Sequence, residues 1–240
     1  MMQILPSRLV LGGAVALVLA VGCVGAAFAG DGAGIYVKLD VGNAWTRNAG
    51  GDFGRDLGQG ALLGGAVGYR FSPELRVDLG VTRRFGLRYG ENAVDPDDGT
   101  RVTAGARVRS TALMLNGTYA PVAFGIVRPY VTAGIGVAWN RMDRLDIAVD
   151  GSPLGTLDGG SRANLALQAG AGVSVALHPD IAVDVGYRYA HLGRVRTGDS
   201  FRFAPSLVPE LGGAAVSDPS LRMNGRLRAH ELVVSAAYSF

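Results

Sequence analysis

The chain contains three histidines, the side chains best suited to act as catalytic bases near neutral pH. His178 lies in a predicted short turn, while His191 and His230 lie near the ends of two predicted strands, on the same face as apolar residues. A histidine base in a hydrolase needs a nucleophile or an orienting acid within hydrogen-bonding reach. Glu231 directly follows His230 and therefore points to the other strand face, and Ser235 is both distant and on that other face. We therefore expect no catalytic residue, and a surface hydrolase is the least favoured function.

Two further stretches resemble ligand-binding motifs but lack an essential part. The sequence "DPDDGT" at 95–100 has the spacing with which a calcium loop begins, yet Ala106 occupies the position of the bidentate glutamate. The glycine-rich "GAGVSV" at 170–175 lies inside a predicted strand and opens no helix that would hold a phosphate group. We therefore predict no metal site and no cofactor.

Basic residues slightly outnumber acidic ones and are spread along the chain. Lysine and arginine total 23 against 20 aspartates and glutamates, and every basic residue except Lys38 is an arginine. A nucleic-acid-binding protein concentrates its basic residues in one patch or motif, so we expect no nucleic-acid partner. Cys23 is the single cysteine, so disulfide bonds do not contribute to the fold.

The N-terminus has the pattern of an export signal. Arg8 precedes a long apolar run that ends in the small-x-small sequence "AFA" at 27–29, where signal peptidase cuts. We predict a cleavable signal peptide over residues 1–29 and a single mature domain over residues 30–240. A membrane-spanning helix and a lipid-modified Cys23 are the alternatives for this segment.

The mature chain alternates apolar and polar residues with the period of two that is typical of β-strands. In "ELRVDLGVT", for example, Leu75, Val77 and Leu79 share one face, and Arg76 and Asp78 share the other. Runs of this kind predict eight strands, at residues 34–45, 61–71, 74–82, 109–119, 130–141, 163–177, 180–190 and 229–240.

The connections between these strands alternate in length. Short turns separate strands two and three, four and five, and six and seven, and the long loops lie at about 46–60, 90–108, 142–162 and 194–228. Short turns at one end and long loops at the other are typical of antiparallel outer-membrane barrels. Strands that cross lipid must close into a ring, because lipid offers no partner to an unpaired edge. We therefore predict an all-β fold, an eight-stranded antiparallel transmembrane β-barrel; a soluble lipocalin-like barrel with its apolar face inward is the alternative.

Opposite charges balance on the polar face of the strands, as a narrow barrel interior requires, because unpaired buried charge is costly. The same face carries many small residues, among them Gly134, Gly170 and Ser174, which suit a narrow lumen. The predicted interior charge network consists of Lys38, Asp40, Arg70, Arg76, Asp78, Asp184, Arg188 and Glu231. A network of this kind fills the lumen, and a small passive porin-like channel is the alternative to a closed barrel.

The chain shows further features of membrane barrels at its aromatic positions. Aromatic residues of the apolar face form one row near the short turns and another toward the long loops. With "DVGYRY" at 184–189 and the terminal "YSF", the chain is similar to the outer-membrane β-barrel domain of the OmpA-like and opacity-type porin superfamily. The resemblance implies an outer-membrane location, and it implies that Tyr238 and Phe240 belong to the signal read by the barrel-assembly machinery. Full-length OmpA-type proteins carry a peptidoglycan-binding domain after the barrel, and we expect none here.

Arginines continue the apolar face of five strands on the long-loop side. Guanidinium groups pair with phosphate in a bidentate fork, and the lipopolysaccharide of an outer leaflet is rich in phosphate. We predict a lipopolysaccharide-binding collar, with chance placement as the alternative, formed by Arg47, Arg83, Arg109, Arg141 and Arg228. Because long loops often carry binding functions, we expect a non-enzymatic barrel that serves envelope integrity or surface interaction, including adhesion to a host or envelope ligand.

Overall fold

The computed structural model describes residues 33–46, 57–204 and 214–240. The predicted signal peptide and Arg47 lie outside these residues. No helix in the described part of the chain has the length and hydrophobicity to span a bilayer. The strands are β1 (Gly34–Thr46), β2 (Gln59–Arg70), β3 (Leu75–Val94), β4 (Arg101–Tyr119), β5 (Val127–Met142), β6 (Leu145–Val149), β7 (Ser152–Leu157), β8 (Gly160–His178), β9 (Ile181–Arg196), β10 (Ser200–Phe203), β11 (Ala215–Ser217) and β12 (Asn224–Ser239), with a short 3-10 helix at Pro219–Leu221.

Eight long strands form a closed hydrogen-bonded ring. Its order is β1-β2-β3-β4-β5-β8-β9-β12, every pair is antiparallel, and β12 pairs with β1 from Tyr36↔Ser239 to Thr46↔Ala229. The predicted eight-stranded barrel is therefore confirmed. Closure leaves no strand edge of the ring unpaired, which is the condition that a lipid environment imposes.

The apolar faces of the strands point outward. Leu63, Leu79 and Leu115 are 50%, 53% and 51% exposed, whereas Asp78 and Glu231 are 2% and 0% exposed. A lipocalin-like barrel has the reverse arrangement, so that alternative is excluded. Aromatic side chains lie at both ends of the apolar band, with Tyr69, Phe71, Tyr119 and Tyr238 near the short turns and Trp45, Phe85, Trp139 and Tyr189 toward the long loops.

The connections on the long-loop side contain more sheet than the sequence predicts. β3 and β4 have 20 and 19 residues, whereas about 9–11 residues suffice to cross a bilayer. The expected loop at 90–108 therefore shortens to residues 95–100, because both strands continue beyond the apolar band. The expected loops at 142–162 and 194–228 likewise contain β6, β7, β10 and β11.

A β-bulge in β3 marks the point where the character of the lumen changes. The register shifts between Arg84 and Leu87, and Gly86 adopts a φ of +86°, a conformation that glycine tolerates best. On the short-turn side of the bulge the even-numbered residues of β3 point inward, and on the long-loop side the odd-numbered residues do. As a result Leu87 and Tyr89, 0% and 2% exposed, enter the interior.

The sheet forks where β4 exchanges one partner for another. Val108 to Tyr119 of β4 pair with β5, but Val102 to Gly105 pair with β6. β5 meanwhile remains paired with β8 as far as Met142↔Gly160. β6, β7, β10 and β11 then continue one branch of the fork as a second sheet on the long-loop side, which we name the outer sheet.

Tyrosines inside the barrel pack against glycines of neighbouring strands. A Cβ atom on Gly186 would lie 2.4 Å from the Tyr130 hydroxyl, and one on its cross-strand partner Gly172 would lie 2.6 Å from it. A Cβ atom on Gly68 would likewise meet the Tyr36 ring at 2.5 Å. These glycines therefore create the space that the two rings occupy.

Replacing Gly186 with valine is expected to destabilise the barrel by about 1–3 kcal/mol, because the new side chain must displace Tyr130. The measurement is the urea midpoint at which the protein loses its heat-modifiable band on a semi-native gel. Gly117→Val is the matched control, since a Cβ atom on this strand glycine meets nothing within 4 Å. Equal midpoints for the two variants would contradict this packing argument.

Candidate functional site

The two fully buried charges of the lumen, Arg84 and Glu231, belong to a four-residue ionic cluster. Glu231 is fully buried and accepts hydrogen bonds from the fully buried Arg84 and from Arg188, whose Nε lies 2.7 Å from Oε2 of Glu231. Arg188 also approaches Asp40, with 3.9 Å between Nη1 and Oδ2. Two guanidinium groups and two carboxylates thus neutralise one another across β1, β3, β9 and β12.

A second cluster of the lumen is centred on Asp78. Its carboxylate accepts hydrogen bonds from the Tyr36 hydroxyl at 2.8 Å, from Lys38 Nζ at 3.2 Å and from Asn116 Nδ2 at 2.7 Å. Gln168 donates in turn to Asn116. Each partner comes from a different strand, apart from Tyr36 and Lys38 of β1, so the cluster ties one side of the ring together.

Arg76 and Asp184 form the third ionic contact of the lumen. Their side chains are 2.5 Å apart, and the Arg76 guanidinium lies 5.9 Å and 5.5 Å from the ring centres of Tyr36 and Tyr130. Stacking of this kind suits the planar guanidinium group.

The structure brings together seven of the eight predicted interior charges and replaces the eighth. Arg70 makes no ion pair among the described residues, and Arg84 takes its place in the charge balance. The paired cations are then Lys38, Arg76, Arg84 and Arg188, against Asp40, Asp78, Asp184 and Glu231. Arg84 shares the even-numbered parity of Arg76 and Asp78 in β3, a signal that the sequence analysis missed.

Apolar side chains fill the lumen above the ionic clusters. Leu87, Met142, Leu192 and Leu227 are at most 1% exposed and belong to one continuous core. The core also takes up Leu57, Leu145, Leu157 and Val195 and is covered by Phe201, Leu221 and Met223 from the β9–β12 connection. The lumen is therefore filled at two levels, by ion pairs toward the short turns and by apolar side chains toward the long loops.

Arginines concentrate on the outer face of β3, β4 and β5. Most of them lie just beyond Phe85 and Trp139, whereas Arg83 precedes Phe85 by two residues and lies level with Trp139. Arg88 lies directly opposite Arg107, and Arg109 directly opposite Arg141. Like charges at directly opposed positions repel each other, and Asp143 Oδ2, 2.7 Å from Arg109 Nη2, is the one carboxylate that pairs with them among the described residues. We name this surface the arginine patch, formed by Arg83, Arg88, Arg107, Arg109 and Arg141.

The predicted collar is distributed unevenly in the structure. Arg83, Arg109 and Arg141 are exposed on three adjacent strands, whereas Arg228 is half-buried on β12 opposite His191. Arg47 lies outside the described residues. The sequence analysis missed Arg88 and Arg107, because Arg107 fell in an expected loop and the bulge reverses the parity that Arg88 would otherwise have.

The arginine patch continues into a cleft at the fork of the sheet. The cleft has a volume of about 1460 Å³ and opens between β4, β5 and β6. Its lining combines Arg88, Arg107 and Arg141 of the patch with Arg144 and Arg202, against Asp143, Asp146 and Asp158. This surplus of guanidinium groups suits an anionic ligand.

One of the two histidines at the outer strand ends, His230, lies in an aromatic cluster. His230 stacks on Trp45 with ring centres 6.1 Å apart, and its Nδ1 lies 2.5 Å from the Tyr187 hydroxyl. Tyr189 packs edge-on against the same imidazole at 5.2 Å. In the described residues no group of three or more histidine, cysteine or acidic side chains is placed to hold a metal ion.

Comparison with known proteins agrees with the barrel geometry. The family of the outer membrane protein beta-barrel domain matches residues 14–240 of this chain. The chain belongs to this family. The resemblance inferred from the sequence is thereby confirmed, and the protein is an outer-membrane protein. Tyr238 and Phe240, whose rings pack edge-on at 5.0 Å at the end of β12, remain a predicted assembly signal.

Members of the family show moderate similarity to this chain. Outer membrane protein PagN of Salmonella typhimurium is 30% identical over 147 residues, which cover 58% of this chain and 61% of PagN. An uncharacterised protein of Brucella abortus is 28% identical over 202 residues, covering 75% of this chain and 69% of that protein. The chain thus spans about three fifths of the length of PagN. Neisserial surface protein A shares the fold, with a TM-score of 0.54 at 19% identity over 88% of this chain and 100% of that structure.

Proposed function

We propose that this outer-membrane barrel is non-enzymatic and acts in surface interaction and envelope integrity, binding lipopolysaccharide phosphates through its arginine patch. The observation that carries the proposal is the two pairs of opposed arginines, Arg88 with Arg107 and Arg109 with Arg141, on one outer face of the barrel. Such an arrangement repels itself until anions neutralise it, and a phosphate group accepts two parallel hydrogen bonds from one guanidinium.

The position of the arginine patch supports contact with the phosphate groups of an outer leaflet. Phe85 and Trp139, 42% and 47% exposed, end the apolar band on the same strands. Aromatic residues occupy the interface between hydrocarbon and polar groups, so arginines directly beyond them lie at the level of lipid headgroups. The cleft at the fork begins at that level and extends outward, where a charged saccharide would continue from the headgroup.

The outer sheet supports a role in surface interaction. Its strand β6 is hydrogen-bonded to β4, and β7, β10 and β11 follow in that order. Leu145 and Leu157 anchor β6 and β7 in the apolar core. A binding surface held by strands keeps its shape and loses little conformational entropy when a ligand binds. A host or envelope ligand at this surface is part of the proposal, and so is contact with the barrel-assembly machinery through Tyr238 and Phe240.

Removing two guanidinium groups from the patch tests the lipopolysaccharide contact. Arg107→Gln combined with Arg141→Gln is expected to weaken binding at least about tenfold, because one lost charged contact of about 1.4 kcal/mol already has that effect. The measurement is the rise in thermal unfolding temperature of the detergent-solubilised barrel as lipopolysaccharide is added, with dephosphorylated lipopolysaccharide as a second ligand.

Arg101→Gln combined with Arg222→Gln is the matched control. It also removes two exposed arginines, but from the β3–β4 hairpin end and from the β11–β12 connection, away from the patch. The control is expected to respond to lipopolysaccharide like the unmodified protein. An equal loss in both variants, or an equal response to the dephosphorylated ligand, would contradict phosphate binding at the patch.

A further inference from the structure

The periplasmic mouth of the lumen holds a cation that the interior network leaves unneutralised. Arg70 lies at the last position of β2, directly opposite Arg76 on β3, and both point into the lumen. Asp184 already pairs with Arg76 at 2.5 Å, and no carboxylate of the described residues is within ion-pair distance of Arg70. Because Arg84 completes the charge balance higher in the lumen, Arg70 is a surplus positive charge.

A second guanidinium group faces the same space. Arg128 reaches from β5 across the mouth to the β2–β3 turn, where its Nη1 donates to the carbonyl oxygen of Pro73 at 2.8 Å. This is the single side-chain hydrogen bond of Arg128 among the described residues, so the other N–H groups of its guanidinium are free to bind a ligand. Arg70, Arg76 and Arg128 therefore converge from three strands.

The space between these arginines is a cavity of about 530 Å³ that opens toward the short turns. Tyr130 and Ser174 also line it and offer hydroxyl groups. The two acidic residues of the lining are exposed on the short turns and form no ion pair with these arginines: Glu74 accepts from the Ser72 hydroxyl at 2.7 Å, and Asp180 lies 3.5 Å from Nδ1 of His178. The cavity therefore has converging donors but no carboxylate paired with Arg70 or Arg128.

We propose that this periplasmic vestibule, defined by Arg70, Arg76 and Arg128, is a binding site for a phosphate group. Planar guanidinium forks suit a tetrahedral oxyanion, which accepts hydrogen bonds from several arginines at once. An anion between Arg70 and Arg76 would also remove the repulsion of two like charges at opposed strand positions. This site faces the periplasm and is separate from the arginine patch at the other end of the barrel.

The phosphate group has two sources at that end of the barrel. One is the headgroup of an anionic phospholipid in the inner leaflet of the outer membrane, folded over the short turns into the vestibule. The other is a soluble phosphorylated molecule of the periplasm that enters along the barrel axis. Both present the same oxyanion to the same three arginines.

Calorimetric titration with inorganic pyrophosphate tests the site in barrels folded in an uncharged, phosphate-free detergent. All variants carry Arg107→Gln and Arg141→Gln, which remove the competing phosphate contacts of the arginine patch. This background protein is expected to bind about one equivalent, and adding Arg70→Gln is expected to weaken binding at least about tenfold. Adding Arg101→Gln, at the far end of the barrel, is the control and is expected to leave binding unchanged. Absence of saturable binding, or equal binding by Arg70→Gln, would overturn the proposal.

A second variant keeps the test decisive if Arg70→Gln fails to fold. Arg70→Glu places a carboxylate between Arg76 and Arg128, so it is expected to unfold at a higher temperature than the unmodified protein and to gain nothing from pyrophosphate. A lower unfolding temperature would overturn the proposal. Repeating the titration with barrels in phosphatidylglycerol nanodiscs distinguishes the two sources. If the lipid headgroup occupies the vestibule, pyrophosphate no longer binds. If binding is retained, the occupant is a soluble phosphate.

Discussion

Replacing Glu231 with glutamine is expected to lower the free energy of unfolding by about 3–5 kcal/mol, the usual effect of removing one partner from a buried ion pair. Glu231 is the single acceptor of Arg84 among the described residues, and it also accepts from Arg188 at 2.7 Å. Its loss leaves two guanidinium groups inside the lumen with only Asp40, 3.9 Å from Arg188, to balance them. The measurement is the urea midpoint for loss of the heat-modifiable band.

Asp199→Asn is the control for this variant. The hydrogen bond from Arg222 lowers the pKa of Asp199, but both side chains are exposed, and exposed ion pairs contribute little to stability. We expect its urea midpoint to equal that of the unmodified protein. Equal midpoints for Glu231→Gln and Asp199→Asn would show that the buried cluster contributes no more than a surface contact.

Arg188→Ala is expected to leave the barrel non-conducting in planar bilayers, although it removes a central member of the ionic cluster. The reason is the second level of filling, because Leu87, Leu192 and Leu227 still occlude the lumen above the vacated space. Ions cannot cross a hydrocarbon-filled segment without losing their hydration. The unmodified protein is expected to be silent for the same reason.

Leu227→Ala and the double variant Arg188→Ala with Leu227→Ala complete the comparison. The first thins the apolar level alone and is expected to be silent, because the ion pairs below it remain. Current steps are expected in the double variant only. Discrete openings in Arg188→Ala alone would contradict the two-level closure and would favour the small passive channel.

The sequence was sufficient to predict the ring because its signals are local. Alternation in segments such as 74–82 reports which face is apolar, and alternating loop lengths report that the strands run antiparallel. The ionic partners of the lumen also followed from parity, since seven of the eight predicted charges lie in pairs. Each of these signals can be read from a single strand or from the connections that follow it.

The remainder depended on contacts that alternation cannot report. The bulge beside Gly86 reverses the parity of β3, so strict alternation places Leu87 and Tyr89 on the wrong face. Arg84, and not the predicted Arg70, joins the ion pairs, and this choice depends on how the strands are staggered around the ring. The fork at β4 depends on the choice between two competing partners, which neither strand encodes alone.

The long β3–β4 hairpin has a mechanical consequence. Its paired residues run from Leu75↔Tyr119 to Val94↔Arg101, interrupted only at the bulge, so one ladder joins the short-turn end of the barrel to the β3–β4 turn. A pull on that turn along the strands loads many hydrogen bonds in shear at the same time, instead of opening them one by one. A ligand attached to the outer sheet would therefore transmit tension directly to the embedded barrel, and the attachment would resist flow and drag without a separate stalk.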